Sequence, residues 1–163
     1  MEAVSIRQAV PSDGPFLADM VVEAANWRPE IARPRVSILG DPVYASYISG
    51  WQRPADRGVV AMSADGEAIG AAWYRIFPAD APVHGHVERG VPELIIGVRP
   101  MWRAQGVGRA LLRRLIVEAG AAGYARIGLS VEHGNFAQGL YRAEGFEHHV
   151  DTGDRDTMVR ILR

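Results

Sequence analysis

Cysteine is absent from the 163 residues, which excludes disulfides, thiolate metal sites and a cysteine nucleophile. Also missing is any uninterrupted apolar run of membrane-spanning length. The opening MEAVSIRQAVPSDG has no basic segment followed by a long apolar one, so a cytoplasmic location and no membrane partner are expected. Charge of one sign is not in excess: the net charge is −1 and the pI about 6.5, whereas a protein that mainly binds nucleic acid usually needs a marked basic surplus. There are no repeats, low-complexity tracts or interdomain linkers. With 48% hydrophobic residues in 17.8 kDa, the chain suits one domain over residues 1–163 with a sizeable core.

What is present centres on Val91 to Glu118. The apolar run Val91–Val98 breaks at Arg99-Pro100, passes a glycine-bearing turn and enters residues with helical spacing, so it reads as strand, turn, helix. Leu111, Leu112, Leu115, Ile116 and Ala119 form the apolar face of that helix and leave Arg109, Arg113 and Glu118 towards water. A helix start has unpaired N–H groups and partial positive charge, and Gly106 and Gly108 lack the Cβ atoms that would hold a phosphate away. The turn is therefore an expected anion site. Two familiar motifs do not fit it: Arg109-Ala110 replaces the Lys-Ser/Thr of a P-loop, and two glycines replace the three of the dinucleotide fingerprint.

Around this unit, Val4–Arg7 alternates as a strand, and Phe16, Leu17, Met20, Val21 and Ala24 follow helical spacing. Asp41-Pro42 reads as a helix start, with Tyr44, Tyr47, Ile48 and Trp51 at i, i+3, i+4 and i+7 predicting a short helix with an aromatic face. Asp65-Gly66 predicts a type I′ hairpin between Val59–Met62 and Ala68–Tyr74. Ala125–Val131 reads as a strand parallel to the central one, reached by a right-handed crossover. A short helix from Asn135 to Ala143 and a final antiparallel pair around Asp151–Asp154 complete the chain.

Arg103-Ala104-Gln105-Gly106-Val107-Gly108 resembles the Gln/Arg-x-x-Gly-x-Gly/Ala signature of the GNAT superfamily of N-acetyltransferases. Asn135-Phe136-Ala137-Gln138-Gly139-Leu140-Tyr141-Arg142-Ala143-Glu144-Gly145-Phe146 resembles the Asn-x-Ala-x-x-Leu-Tyr-x-x-x-Gly-Phe block that follows the fifth strand of that family, in the right order and separation. The pattern is departed from at Ala104, where many members carry glycine, and at Phe136, often proline.

The resemblance implies an α/β GNAT fold. This is a mixed, mostly antiparallel sheet of about seven strands, with a parallel fourth and fifth strand splayed around the cofactor and about four flanking helices. It implies acetyl-CoA as co-substrate and no metal. The donor would be held by Ile96, Gly97, Val98, Arg103, Ala104, Gln105, Gly106, Val107, Gly108, Arg109, Asn135 and Tyr141. In particular, the Gly97 and Val98 backbone would pair with the pantetheine arm as an added strand.

Glu93 is the candidate proton acceptor by its place at the start of the central strand, the alternative being a solvated carboxylate at a strand end. Strand alternation puts Glu93, Ile95 and Gly97 on one face, which a bulge of the kind the family carries would reset. A lysine-like amine with a pKa of about 10.4 is rarely neutral near pH 7, so removing its proton costs about 4–5 kcal/mol. A carboxylate of reference pKa about 4.3 needs burial or a relay to serve. Tyr141 is the candidate donor to the departing thiolate, or else a core aromatic. Asn135 suits both the pantetheine arm and a helix N-cap.

Trp27, Tyr44, Tyr47 and Trp51 are candidate acceptor-pocket residues by resemblance and equally candidates for core packing. Arg113 and Arg114 read as a solvated helix face. His84-Gly85-His86 lacks a third ligand and reads as an exposed loop. The expected activity is acetyl transfer to a primary amine of a small molecule. The alternatives are a protein N-terminus or lysine as acceptor, or an acyl-CoA sensor without turnover. No nucleic-acid partner is expected, and the oligomeric state is left open, a homodimer included.

Overall fold

In the computed structural model, residues 3–78, 80 and 87–163 are described; the His84-Gly85-His86 reading lies outside them. The strands are β1 (Ser5–Gln8), β2 (Arg57–Met62), β3 (Ala68–Arg75), β4 (Glu93–Val98), β5 (Arg126–Glu132), β6 (Glu147–Asp151) and β7 (Arg155–Ile161). The helices are α1 (Gly14–Ala25), α2 (Arg35–Gly40), α3 (Pro42–Ser46), α4 (Val107–Ala121) and α5 (Ala137–Ala143). All strands join one sheet in the order β1-β2-β3-β4-β5-β7-β6, antiparallel throughout except for the parallel pair β4-β5.

That parallel pair shares one register position among the described residues, Glu93 with Gly128, next to the Gly128 N–H donating to Pro92 O at 2.9 Å. Beyond it the strands diverge, so the sheet opens as a wedge towards Val98 and Glu132. The expected splay is therefore present.

Side-chain alternation along the strands builds a core on each face. On one face Val59, Ala72, Tyr74 and Leu94 meet Leu111, Leu112, Leu115 and Ala119 of α4, the apolar stripe read from the sequence. On the other, Val60, Ala71, Trp73 and Ile95 meet Leu17, Met20 and Val21 of α1 together with Tyr47. The ladder of β4 with β3 runs without a shift from Arg75↔Glu93 to Gly70↔Val98, so the bulge that the family resemblance implied is absent from it. Gly97 serves another purpose: a Cβ there would sit 2.4 Å from Met20 O, so the glycine lets α1 lie directly on the strand.

Two local expectations change. A type I′ turn needs positive φ at both central residues, but at Asp65-Gly66 this holds for Gly66 alone, at 82°. The connection is a longer turn closed by Gly66 N–H to Ser63 O at 3.0 Å and Ser63 N–H to Glu67 O at 2.8 Å. The aromatic helix expected to reach Trp51 ends at Ser46, and tight turns then carry the chain to Gly50, whose φ is 67°. Its start is as expected, with Asp41 Oδ1 accepting from Val43 N–H at 2.8 Å. The extra helix, α2, begins right after Pro34, a position that tolerates proline, so this proline-rich stretch is more regular than its composition suggests.

The buried pair Arg75–Asp56 locks this segment to the sheet. Nε and Nη2 of Arg75 meet the two carboxylate oxygens at 3.1 and 3.0 Å, while Nη1 donates to Ser46 O at 3.0 Å.

Candidate active site

The turn before α4 is shaped by two residues of left-handed backbone, Ala104 (φ 60°) and Gly106 (φ 85°). Such a turn aims successive N–H groups towards one side, a concavity suited to an anion. No backbone acceptor among the described residues receives the N–H groups of residues 104–109; the first such bond is Ala110 N–H to Gly106 O at 3.1 Å. Ala104 adopts a conformation that costs a non-glycine residue about 1 kcal/mol, which explains physically why glycine suits this position. Gln105 and Val107, also expected around the donor, do not line the cavity that reaches this turn. The Gln105 side chain turns back to Met101 O at 2.9 Å, and Val107 is buried in the α4 core.

A cavity of about 540 Å³ fills the wedge between β4 and β5 and extends to this turn. Of the residues expected around the donor, Ile96, Gly97, Val98, Arg103, Ala104, Gly106, Gly108, Arg109, Asn135 and Tyr141 line it; of the acceptor candidates, Trp27, Tyr44 and Tyr47 do. Trp51 does not. Its indole N–H donates to Val10 O at 3.0 Å, outside the cavity, because the chain leaves helical geometry before reaching it.

Arg103 is used internally. Its guanidinium binds Val98 O at 3.1 Å, Trp27 O at 3.4 Å and the Glu23 carboxylate at 3.0 Å, tying the anion turn to the end of α1. Arg109 and Arg113 both reach Glu144, at 2.7 and 2.8 Å, which fastens α4 to α5.

Glu132, at the open end of β5, is the hub of the opposite wall. It accepts from Trp27 Nε1 at 2.7 Å and pairs with Arg33 at 2.9 Å and Arg155 at 3.2 Å, while Arg33 also donates to Tyr44 Oη at 3.1 Å. Burial alone would raise the Glu132 pKa, but the hydrogen bonds from Arg33 and Trp27, with the charges of Arg33 and Arg155, outweigh it and hold the carboxyl below its ordinary value. The folded state therefore binds this proton less readily than the unfolded chain. The stabilisation is complete above an unfolded pKa of about 4.3 and is lost as pH falls through the lower folded value. Glu132→Gln should lower the thermal midpoint at pH 7, and this deficit should shrink towards zero below about pH 4. Equal deficits at both pH values in thermal melts would refute the assignment.

The mouth is narrowed by Trp27 and Phe136, in edge-on contact at 5.9 Å, although Phe136 remains 73% exposed. Asn135 lies one residue before the N-cap position of α5, which Phe136 occupies; its Oδ1 accepts from Ala137 N–H at 2.9 Å, a turn leading into the helix rather than the N-cap read for it. Tyr141 lies against Phe146, and burial pushes its phenol up to about 12, against a smaller opposing influence of Arg155. His133 stands beside the site rather than in it: its Nε2 is 3.3 Å from Asp156 Oδ1, which His148 also approaches at 3.0 Å, and Gln138 of α5 donates to the other Asp156 oxygen at 2.8 Å.

Glu93 is not on the cavity wall. Glu93 and Tyr47 are each 3% exposed; Glu93 accepts a hydrogen bond from the hydroxyl of Tyr47, and of the two only Tyr47 is among the cavity-lining residues. The sequence reading did not single out Glu132, Arg155 or Arg33, since contacts such as Trp27–Glu132 span 105 positions and leave no local pattern. One faint signal is an acidic residue closing the apolar strand Ile127–Val131.

Residues 22–146 match the acetyltransferase (GNAT) family. The mycothiol acetyltransferase of Saccharomonospora viridis is 30% identical over 149 residues, covering 90% of this chain and 46% of that protein, so the chain spans about half the length of this relative. Among solved structures, the PaiA N-acetyltransferase of Thermoplasma acidophilum in complex with coenzyme A is similar with a TM-score of 0.73 at 18% identity, covering 98% of this chain and 99% of that one. The ribosomal-protein-alanine N-acetyltransferase of Brucella melitensis is similar with a TM-score of 0.69 at 25% identity, covering 96% and 99%. The seven-stranded sheet with its parallel, splayed β4-β5 pair is the fold these proteins share. The match over most of the chain makes the conclusion plain: the protein belongs to the GNAT family of acetyltransferases.

Proposed function

We propose that the protein transfers the acetyl group of acetyl-CoA to a primary amine of a small molecule. The observation carrying this reading is the wedge itself: bare backbone N–H groups lie at its mouth and two tyrosine side chains, Tyr47 and Tyr141, along its walls. The N–H groups of residues 104–109 suit a pyrophosphate, with charge-assisted hydrogen bonds of about 1.5–3 kcal/mol each. The Gly97 and Val98 edge of β4, unpaired with β5, suits an extended amide-bearing arm.

When bound, acetyl-CoA supplies the thioester that an amine attacks. The residues around it position, exclude water and manage charge. Tyr141, with its phenol near 12, stays protonated at every pH the reaction would use. Passing that proton to a thiolate of pKa about 8.5 is uphill by roughly 3.5 pH units, or about 5 kcal/mol. Donating a hydrogen bond to the thiolate costs no such transfer, so this is the role we assign to Tyr141. Tyr141→Phe should slow kcat about 10- to 150-fold, the equivalent of one hydrogen bond to a charged acceptor, and leave acetyl-CoA affinity within about twofold. Steady-state kinetics together with calorimetric binding check both halves.

The relatives do not decide the acceptor, one being named for mycothiol and another for the alanine of a ribosomal protein. The Trp27–Phe136 contact and the Trp27–Glu132 bond bound the cavity on two sides, which favours a small amine over an extended peptide. Purified protein should be given acetyl-CoA with a panel of small amines, antibiotics and peptides while free CoA is measured. Turnover confined to small amines supports the proposal and turnover on peptides overturns the acceptor class. Acetyl-CoA binding without any release of CoA would favour a sensor. Among the described residues no helix is long and apolar enough to cross a membrane; a cytoplasmic site of action belongs to the same proposal, and the oligomeric state stays open.

A further inference from the structure

The residue expected to take the acceptor's proton has no face on the cavity, whereas the residue that donates to it does. Tyr47 lines the cavity and its hydroxyl donates to Glu93 Oε2; Glu93, nearly buried, sits where β4 and β5 last pair. A phenol hydroxyl donates and accepts at once, so it can receive one proton while giving up another. Tyr47 is also held firmly. Its carbonyl accepts from Trp73 Nε1 at 2.8 Å, its ring meets Phe77 edge-on at 5.6 Å, and the preceding Ser46 is fixed by Arg75. Arg75, opposite Glu93 in the β3-β4 ladder, is engaged by Asp56, and Tyr44 of α3 shares the cavity wall with Tyr47.

We infer that Tyr47 is a catalytic proton relay between the acceptor amine and Glu93, an assignment that rests on the N-acetyltransferase reading above. As the neutral amine nitrogen bonds to the acetyl carbonyl carbon, its N–H becomes acidic. That proton passes to Tyr47 Oη while the Tyr47 proton passes to the Glu93 carboxylate. The carbon–sulfur bond breaks with its electron pair going to sulfur, where Tyr141 donates a hydrogen bond. The amide keeps one nitrogen proton, Glu93 holds the other, and Glu93 then returns its proton to solvent.

The test uses Tyr47→Phe, Glu93→Gln and the double variant of the full chain. General-base assistance contributes about 10²–10⁴-fold, so each single variant should lose at least about 100-fold in kcat, with the double no slower than the slower single. Acetyl-CoA affinity should stay close to wild type, while the thermal midpoint of Tyr47→Phe should fall by a few degrees because a nearly buried carboxylate loses a donor. In the protein without substrates, the infrared carboxyl band that Glu93→Gln removes should shift in Tyr47→Phe. The relay is overturned if Tyr47→Phe keeps kcat within twofold, if the losses multiply in the double variant, or if the carboxyl band does not move. A wild-type protein that acetylates no amine would overturn the relay and the acetyltransferase reading together, whereas the other outcomes strike the relay alone.

Discussion

Gly97→Ala should cost about 3 kcal/mol of folding stability and lower the thermal midpoint by about 6–12 °C. The added Cβ would lie 2.4 Å from Met20 O, 2.8 Å from Met20 Cβ and 3.0 Å from Met20 C, so two of the three atoms it meets are backbone. Neither partner can withdraw cheaply. Gly97 is paired with Ala71 inside an unbroken ladder, and Met20 is fully buried in the middle of α1. Relief has to come from lifting α1 off β4, which would loosen the core around Leu17, Val21 and Trp73. Because α1 also carries Glu23, the partner of Arg103, acetyl-CoA binding should weaken in the same variant. Thermal melting monitored by circular dichroism is sufficient, and a loss below about 3 °C would show that α1 is not seated as described.

Gly106→Val should fail differently, with acetyl-CoA affinity falling at least about 100-fold while the fold survives. A Cβ at position 106 meets no protein atom within 4 Å, so nothing in the core is displaced. The difficulty is the backbone: φ is 85°, and a β-branched residue there is a strained outlier. Returning φ to negative values would rotate the N–H groups of the turn away from their common side, while keeping it positive places an isopropyl group in the open space beside the turn, where the proposed pyrophosphate would sit. Either way the loop loses several charge-assisted hydrogen bonds, and two of them alone account for the 100-fold loss. Calorimetric titration with acetyl-CoA reads this directly, and unchanged affinity would remove the loop from the donor site. The two glycines differ in what surrounds them: at 97 the missing Cβ admits a helix, at 106 it faces open space beside the turn.

Local chemistry was readable from the sequence. The strand-turn-helix around Gly106, α4 with its leucine face, the N-cap at Asp41 and a short helix ending at Ala143 each depend on residues within a turn or two of one another, and these elements form as read, the last starting at Ala137 rather than Asn135. Ala104 was noticed as a departure, but its strained φ is a property of the folded turn. The misplacement of Trp51 arose from extending a helical period past Ser46, where α3 gives way to tight turns that run to the left-handed Gly50. The Glu132 cluster was invisible because Trp27, Arg33 and Arg155 come to it from three distant segments. The Glu93 position was chosen by its place in the strand. That Tyr47 would donate to it depended on how the segment before β2 folds back, a matter of packing rather than period.

The single pairing between β4 and β5 has a mechanical meaning. One leaf of the sheet comprises β1 to β4 and the other β5, β7 and β6, and Glu93–Gly128 is their one shared rung among the described residues. A sheet divided in this way leaves the angle between its leaves to whatever bridges the gap: the ion pairs from Arg109 and Arg113 of α4 to Glu144 on one side, the Trp27–Glu132 and Arg33–Glu132 ties on the other. A molecule seated along the open edges of β4 and β5 would bridge the same gap. It would brace the two leaves against each other and add its binding free energy to the stability of the whole domain.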